Sequence, residues 1–390
     1  MLDPKLTQSV IRGKIGMLIR DANEYPDEVD KVAAAYSQFK DAFKVREILL
    51  QDDNLLEDYR EVSLPLEDSQ IIEPPMTVGG LKPSESRWTQ EVLLENAIIG
   101  IDTSEMAPST HRSPAFLLVN VGYSTIAYAE ESKHFEGCRP YFNPYSEILE
   151  KYKEGESPVI PSWAGEVSRI DYEEDTLTEL CKNAEIKPYI LFDESFSASY
   201  LSARSRLHRE KVVMRMKSFH SKLIDDQAKP IGVFYTSSSA FVSMIRKVLA
   251  ADKDWSAVGG WRIRDSALFR KILPLGWRSP AFKLMNMVTE EFHLNIVGFY
   301  VKTGWDSVMR VEFPEQSLHR INDIHKVVVA QSALGGGYPY LMQRAHEQAY
   351  ISARERQWVL DYLNRLLGEA GIRDAVKLSR KELRKILGVV

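Results

Sequence analysis

The sequence predicts an α/β fold in which a mixed sheet is flanked by helices, with a helical region in front and insertions along the way. Three observations lead there. Two apolar runs of strand length, Ala97-Ile98-Ile99-Gly100-Ile101 and Tyr189-Ile190-Leu191-Phe192, each end at an aspartate, Asp102 and Asp193. Two more strand-like runs lie between them, Phe116–Val121 and Ser124–Ala129. A stretch with helical spacing (Glu174, Leu177, Leu180, Cys181) then precedes the second aspartate run.

Taken in order, residues 1–63 read as helices over Val10–Ala22, Glu28–Phe43 and Val45–Asp53. Residues 64–90, rich in proline and polar side chains, read as a connector, and 91–369 as the α/β body. Gly122 parts the two runs after Asp102, which predicts two antiparallel strands continuing from the first. Residues 131–168, with Pro140, Pro144, Pro158 and Pro161, read as a long insertion. Its Tyr141, Phe142, Tyr145 and Trp163 could stack on unpaired bases, although packing on the body is the commoner use of such rings. The Asp193 strand is expected parallel beside the Asp102 strand. Residues 199–224 read as a helix with apolar Leu207, Val213, Met214 and Leu223 interleaved among its cations, which could bury one face. Ile296–Lys302 and Ser307–Phe313 read as strands around the turn Thr303-Gly304-Trp305-Asp306. Gly335-Gly336-Gly337 lets the backbone pass a crowded place, and Pro339 suits the first turn of a helix carrying His346 about two turns in. Residues 370–390 read as a short basic amphipathic helix.

A strand with Asp102, a hairpin, a helix with Glu174 and a strand with Asp193 is the order of the ribonuclease H-like fold. Carboxylates at the carboxyl ends of two neighbouring strands converge on one point, and a helix acid with a late imidazole completes a shell of hard ligands for Mg²⁺ or Mn²⁺. Two such ions, roughly 4 Å apart, clamp the attacking and leaving oxygens of a phosphodiester. Taken singly, each aspartate would be a turn or cap residue, and the pair in order reverses that reading. Glu173 is adjacent to Glu174 and competes for its role. His346, followed by Ala349, Tyr350 and Ala353, would by spacing alone be a core histidine.

The chain resembles the NurA nuclease family. The residues that carry the resemblance are Gly100-Ile101-Asp102-Thr103-Ser104, Leu191-Phe192-Asp193-Glu194-Ser195-Phe196, Pro230-Ile231-Gly232-Val233, Asp265-Ser266-Ala267-Leu268, Arg310-Val311-Glu312-Phe313-Pro314, and Gly337-Tyr338-Pro339 followed by Arg344-Ala345-His346. They fall in the family's order over roughly residues 95–365. Thr103 and Glu194 stand where the family usually has glycine, and Phe234-Tyr235 where it tends to have a lysine. The resemblance implies a catalytic set of Asp102, Glu174, Asp193, Tyr338 and His346, the metal held by Asp102, Glu174, Asp193 and His346. It implies 5′-to-3′ exonuclease action on DNA with some single-strand endonuclease action, Mn²⁺ preferred. It also implies a homodimer built partly by the N-terminal helices, fed by a HerA-type hexameric ATPase in end resection or defence.

Composition sets the remaining bounds. A net charge of −5 over 390 residues argues against a generally basic surface, so DNA contact needs a local basic lining. Arg204, Arg206, Arg209 and Lys211 supply a candidate, with Arg344 beside His346. The bland alternative for these cations is a solvated helix face. Cys138 and Cys181 make neither a disulfide framework nor a zinc set. Apolar runs short of a membrane span and no signal pattern at the start lead us to expect a cytoplasmic protein with no membrane partner. No Walker loop is present, so ATP hydrolysis in this chain is not expected. The reading from another class is a non-catalytic ribonuclease H-like subunit that docks on a HerA-type ATPase.

Overall fold

The computed structural model describes residues 3–39, 41–52, 56, 61–74, 86–94, 96–107, 115–127, 133–153, 155, 159–182, 187–236, 238–250 and 263–372. The expected basic helix over 370–390 lies almost wholly outside the described residues, as does much of the 64–90 connector. The fold is α/β, with sheet strands flanked by helices and a helical N-terminal region. The chain forms two interleaved compact units, unit 1 from Met1–Leu94, Phe192–Arg204 and Pro230–Tyr340, and unit 2 from Glu95–Leu191, Ser205–Lys229 and Leu341–Val390.

Unit 1 opens with helix α1 (Pro4–Tyr36), started by Asp3, whose carboxylate accepts from the backbone N–H groups of Lys5 and Leu6. The sequence suggests two helices here, but α1 runs on through Pro26. Its last turns are anchored by buried Val29, Val32, Ala35 and Tyr36, and that burial outweighs the loss of one helical hydrogen bond. Tyr36 packs edge-on against Phe241 and Phe269. Helix α2 (Ala42–Leu50) follows. Strands β1 (Glu61–Pro65), β7 (Phe282–Asn286), β8 (Ile296–Lys302), β9 (Val308–Pro314) and β6 (Lys229–Phe234) lie in that order, each neighbouring pair antiparallel. Strands β8 and β9 flank the turn that the sequence predicts. Helices α3 (Ser86–Leu93), α7 (Ala240–Ala250), α8 (Asp265–Ile272), α9 (Met287–Glu291) and α10 (Ile321–Leu334) complete the unit. Gly336 and Gly337, at φ +66° and +111°, reverse the chain after α10.

Unit 2 holds β2 (Ala97–Met106), β3 (Phe116–Ala127), β4 (Lys133–Pro144) and β5 (Tyr189–Phe192), in the order β5-β2-β3-β4. Three departures from expectation occur here. Asp102 lies inside β2 rather than at its end, at the point where burial gives way to partial exposure. The runs on either side of Gly122 form one continuous strand, because Gly122 serves a close approach and not a turn. A Cβ there would collide with the backbone of Ala345 and Ala349. The antiparallel partner of β3 is β4, which lies within the first part of the segment read as an insertion. Helices α4 (Tyr145–Tyr152) and α5 (Ala164–Lys182) follow β4, and α6 (Arg206–Asp225) follows β5. The strand, hairpin, acid-bearing helix and strand thus come in the ribonuclease H-like order. Helices α11 (Tyr340–Ala349) and α12 (Ala353–Glu369) close the unit, with Met106, Phe116, Ile351 and Leu360 in a common core.

Three of the insertion's aromatic side chains stack on or meet other protein rings. Tyr141 stacks on Tyr172 at 4.1 Å, Phe142 on Phe116 at 5.2 Å, and Trp163 meets Tyr152 edge-on. Among the described residues, no helix is long and apolar enough to cross a membrane.

Candidate functional site

Two glycines put α11 on the sheet of unit 2. A side chain at Gly100 would collide with the Leu341 carbonyl, and one at Gly122 with the backbone around Ala349. Gly122 is the register partner of Asp102 across β2 and β3. Asn120 Nδ2 donates to the carbonyls of Gln348 and Ala349 at 3.0 Å each, fixing the end of the helix. Contact this close between helix and strands brings His346 to Asp102, 244 residues earlier in the chain. The distance from His346 Nδ1 to Asp102 Oδ2 is 2.6 Å. A carboxylate only accepts, so Nδ1 carries the hydrogen, and in the neutral form of the ring the lone pair is on Nε2. The imidazole is 65% exposed and the carboxylate 23%, so both are open to a ligand. The other oxygen of Asp102 accepts from the Thr103 N–H at 2.7 Å.

The helix acid on this side is Glu173. It is buried on α5, and its Oε1 accepts from the Thr103 hydroxyl at 2.7 Å and from Arg169 at 3.0 Å. Glu174, the acid expected in the shell, points elsewhere, as neighbours about 100° apart on a helix must. Arg215 and Lys222 donate to its two oxygens at 2.5 and 2.6 Å. Burial raises its pKa, but the hydrogen bonds from Lys222 and Arg215 outweigh that and hold it below the usual carboxylate range.

Asp193 is the exposed residue directly after β5, the strand next to β2. Tyr338, in unit 1, stacks against exposed Tyr235 with ring centroids 5.7 Å apart. Arg204 and Arg206 are exposed, Arg209 is half-buried, and Lys211 lies over the Trp163 ring at 5.7 Å. The chain at 199–203 is a 3-10 turn, and α6 buries Val212, Val213, Met216, Phe219 and Leu223. Of the interleaved apolar residues, Leu207 and Met214 are exposed. Arg344 is held by Glu136, at 2.6 and 3.0 Å, and by Glu347.

Carboxylate oxygens are hard donors that suit Mg²⁺ or Mn²⁺ and an imidazole nitrogen is a borderline donor that favours Mn²⁺ of the two, and Asp102 with His346 forms an accessible pair of them. Among the described residues, no group of three or more His, Cys, Asp or Glu side chains is gathered closely enough to hold a metal ion. The donor chemistry of the Asp102–His346 pair suits a divalent cation.

A family model described as the NurA domain matches residues 96–351. The chain belongs to the NurA family. Solved structures similar to this NurA-family chain include the NurA nuclease from Sulfolobus solfataricus, at 12% identity over 95% of this chain and 98% of that one, with a TM-score of 0.49. The catalytic domain of human endonuclease V is 12% identical over 75% of this chain and 92% of that one, at a TM-score of 0.35. A NurA structure bound to dAMP and manganese is 10% identical over 69% and 88%, at 0.32. No curated protein matches the chain.

Two members of the Asp102 environment escape a reading by motif alone. Thr103, noted as a departure from glycine, supplies the hydroxyl that binds Glu173. Glu173 itself is distinguished from Glu174 by the phase of α5, which becomes visible once the helix is seen to start at Ala164.

Proposed function

We propose that this chain is a metal-dependent DNA nuclease that hydrolyses phosphodiester bonds. The observation that carries the reading is the 2.6 Å pairing of Asp102 with His346, two residues near opposite ends of the matched range 96–351. The cation is Mn²⁺ or Mg²⁺, two ions in all, and Asp102, Asp193, His346 and a helix acid would hold it. That acid is Glu173 rather than Glu174, because Glu173 is tied to Thr103 next to Asp102 while Glu174 is neutralised by Arg215 and Lys222. When bound, the ions lower the pKa of the attacking water and neutralise charge on the phosphate.

The chain's own groups do the rest. Asp102 fixes the His346 tautomer, so that Nε2 either holds the cation or, once protonated, gives its proton to the leaving 3′ oxygen. Manganese binding to DNA-free His346→Ala separates these two roles. Tyr338 at the entrance of α11 contacts the scissile nucleotide, and Arg204, Arg206, Arg209 and Lys211 bind backbone phosphates.

The dimer is built on α1, whose Leu6, Val10, Ile11, Ile15, Met17, Leu18 and Ile19 are all exposed. Polarity from 5′ to 3′ with some single-strand endonuclease action, and feeding by a HerA-type ATPase in resection or defence, complete the proposal. The test is cleavage of end-labelled single- and double-stranded DNA with Mn²⁺, with EDTA, and with Asp102→Asn. Cleavage by wild type in Mn²⁺ alone is expected, and near-normal cleavage by Asp102→Asn would overturn the reading.

A further inference from the structure

Just past Asp193, within unit 1, residues 194–198 are held by an array of buried polar groups. Ser195 Oγ donates to the Glu312 carboxylate, at 3.3 and 3.1 Å from its two oxygens. The Ser197 N–H donates to Glu312 Oε2 at 2.9 Å, and the Ser197 hydroxyl to Glu61 Oε1 at 3.2 Å. Asn286 Nδ2 donates to the Ser197 carbonyl at 3.2 Å. The Glu194 carbonyl rests on Gly232, the register partner of Glu312 across β6 and β9, and a side chain at 232 would collide with it. Ala198 then adopts the left-handed conformation at φ +50°, which non-glycine residues take only under constraint.

Beneath the loop, Arg310 joins Glu312 at 2.7 Å and Glu61 at 2.7 and 2.9 Å, all three side chains buried. Two acids share one guanidinium inside the unit, and burial pushes the Glu312 carboxyl above the usual carboxylate range. Apolar side chains of similar size usually serve stability at least as well as such a cluster. Its hydrogen bonds instead converge on the two serines next to Asp193. We propose that Glu312, backed by Arg310 and Glu61, is a positioning residue that clamps the Ser195–Ser197 loop and so fixes Asp193 for catalysis. This rests on the reading of Asp193 as a catalytic acid.

Ser195→Ala/Ser197→Ala removes the hydroxyl links and leaves the buried charges in place. Expected is a fall in kcat for Mn²⁺-dependent DNA cleavage of about ten- to a hundredfold, as for a slightly misplaced group. KM for DNA should stay within about twofold and the melting temperature within about 3 °C, a shift that represents a minor change in stability for a chain of this size. Manganese should bind the DNA-free variant more weakly. Ser195→Thr, which keeps a hydroxyl, should recover most of the activity. In an Asp193→Asn background the serine changes should add no further loss, since both act on one group. A double alanine variant with wild-type kcat and manganese affinity, beside an inactive Asp193→Asn, would remove the clamp and leave the role of Asp193 standing. A fully active Asp193→Asn would overturn both.

Discussion

At the residue scale the chain separates groups by what they touch. His346 is mostly exposed and bonded only to Asp102 among the contacts described, so His346→Ala should melt near the wild-type temperature. Cleavage should nevertheless fall on the order of a hundredfold or more; a destabilised variant with full activity per folded molecule would return His346 to a structural role. Glu173→Gln should lose cleavage while Glu174→Gln keeps most of it, and the reverse result in a side-by-side assay would transfer the role to Glu174. His325, by contrast, concerns stability. Burial pushes its pKa down to about 3, and its Nε2–H donates to the Gly276 carbonyl at 2.7 Å. Above pH 6.5 the ring is neutral in both folded and unfolded chains, and the stability is complete. As the pH falls through 6.5 the unfolded chain takes up a proton that the folded chain refuses. Urea titrations should show wild type losing roughly 1.5 kcal/mol more than His325→Gln between pH 6.5 and 5.

At the element scale, the packing of α11 on β2 and β3 sets the Asp102–His346 distance. Gly100→Ala or Gly122→Ala must push the helix off the strands, since the opposing atoms are backbone and cannot rotate away. Destabilisation of about 1–3 kcal/mol is expected from such overpacking, together with a loss of Mn²⁺-dependent cleavage that exceeds the loss of folded protein. Normal activity in Gly122→Ala would show that the helix tolerates displacement. The helix α1 illustrates the opposite balance, in which tertiary anchoring of its last turns overrides a proline that reads as a break in the sequence.

For the whole molecule, an acidic chain can hold DNA only where its positive charge is concentrated. Affinity for single-stranded DNA should fall linearly with salt on logarithmic axes, and Arg206→Ala/Arg209→Ala should shorten that slope by roughly one to two. An unchanged slope would leave these arginines as a solvated face. Light scattering at micromolar concentration should give a dimer, converted to a monomer by charged substitutions at Ile11 and Leu18, two exposed apolar positions of α1. A monomeric wild type would remove α1 from assembly.

The two aspartates that follow apolar runs and the late histidine were legible in the sequence, because an apolar run and a motif's order are local or linear properties. The family model matches residues 96–351, which contain all three. Other features depended on the tertiary structure. Gly122 looks like a turn residue in one dimension and proves to be a contact residue, because the helix that needs the space arrives more than 200 residues later. The strand β4 lay hidden in a proline-containing segment because a ladder is defined by its partner, here the twelve register pairs with β3. Glu173 and Glu174 are equivalent by composition, and only the phase of α5 against β2 distinguishes the acid beside Thr103 from the one paired with Arg215 and Lys222. Sequence determines which chemical groups are available and in what order, whereas which of them meet is decided by packing between segments that are remote in the chain.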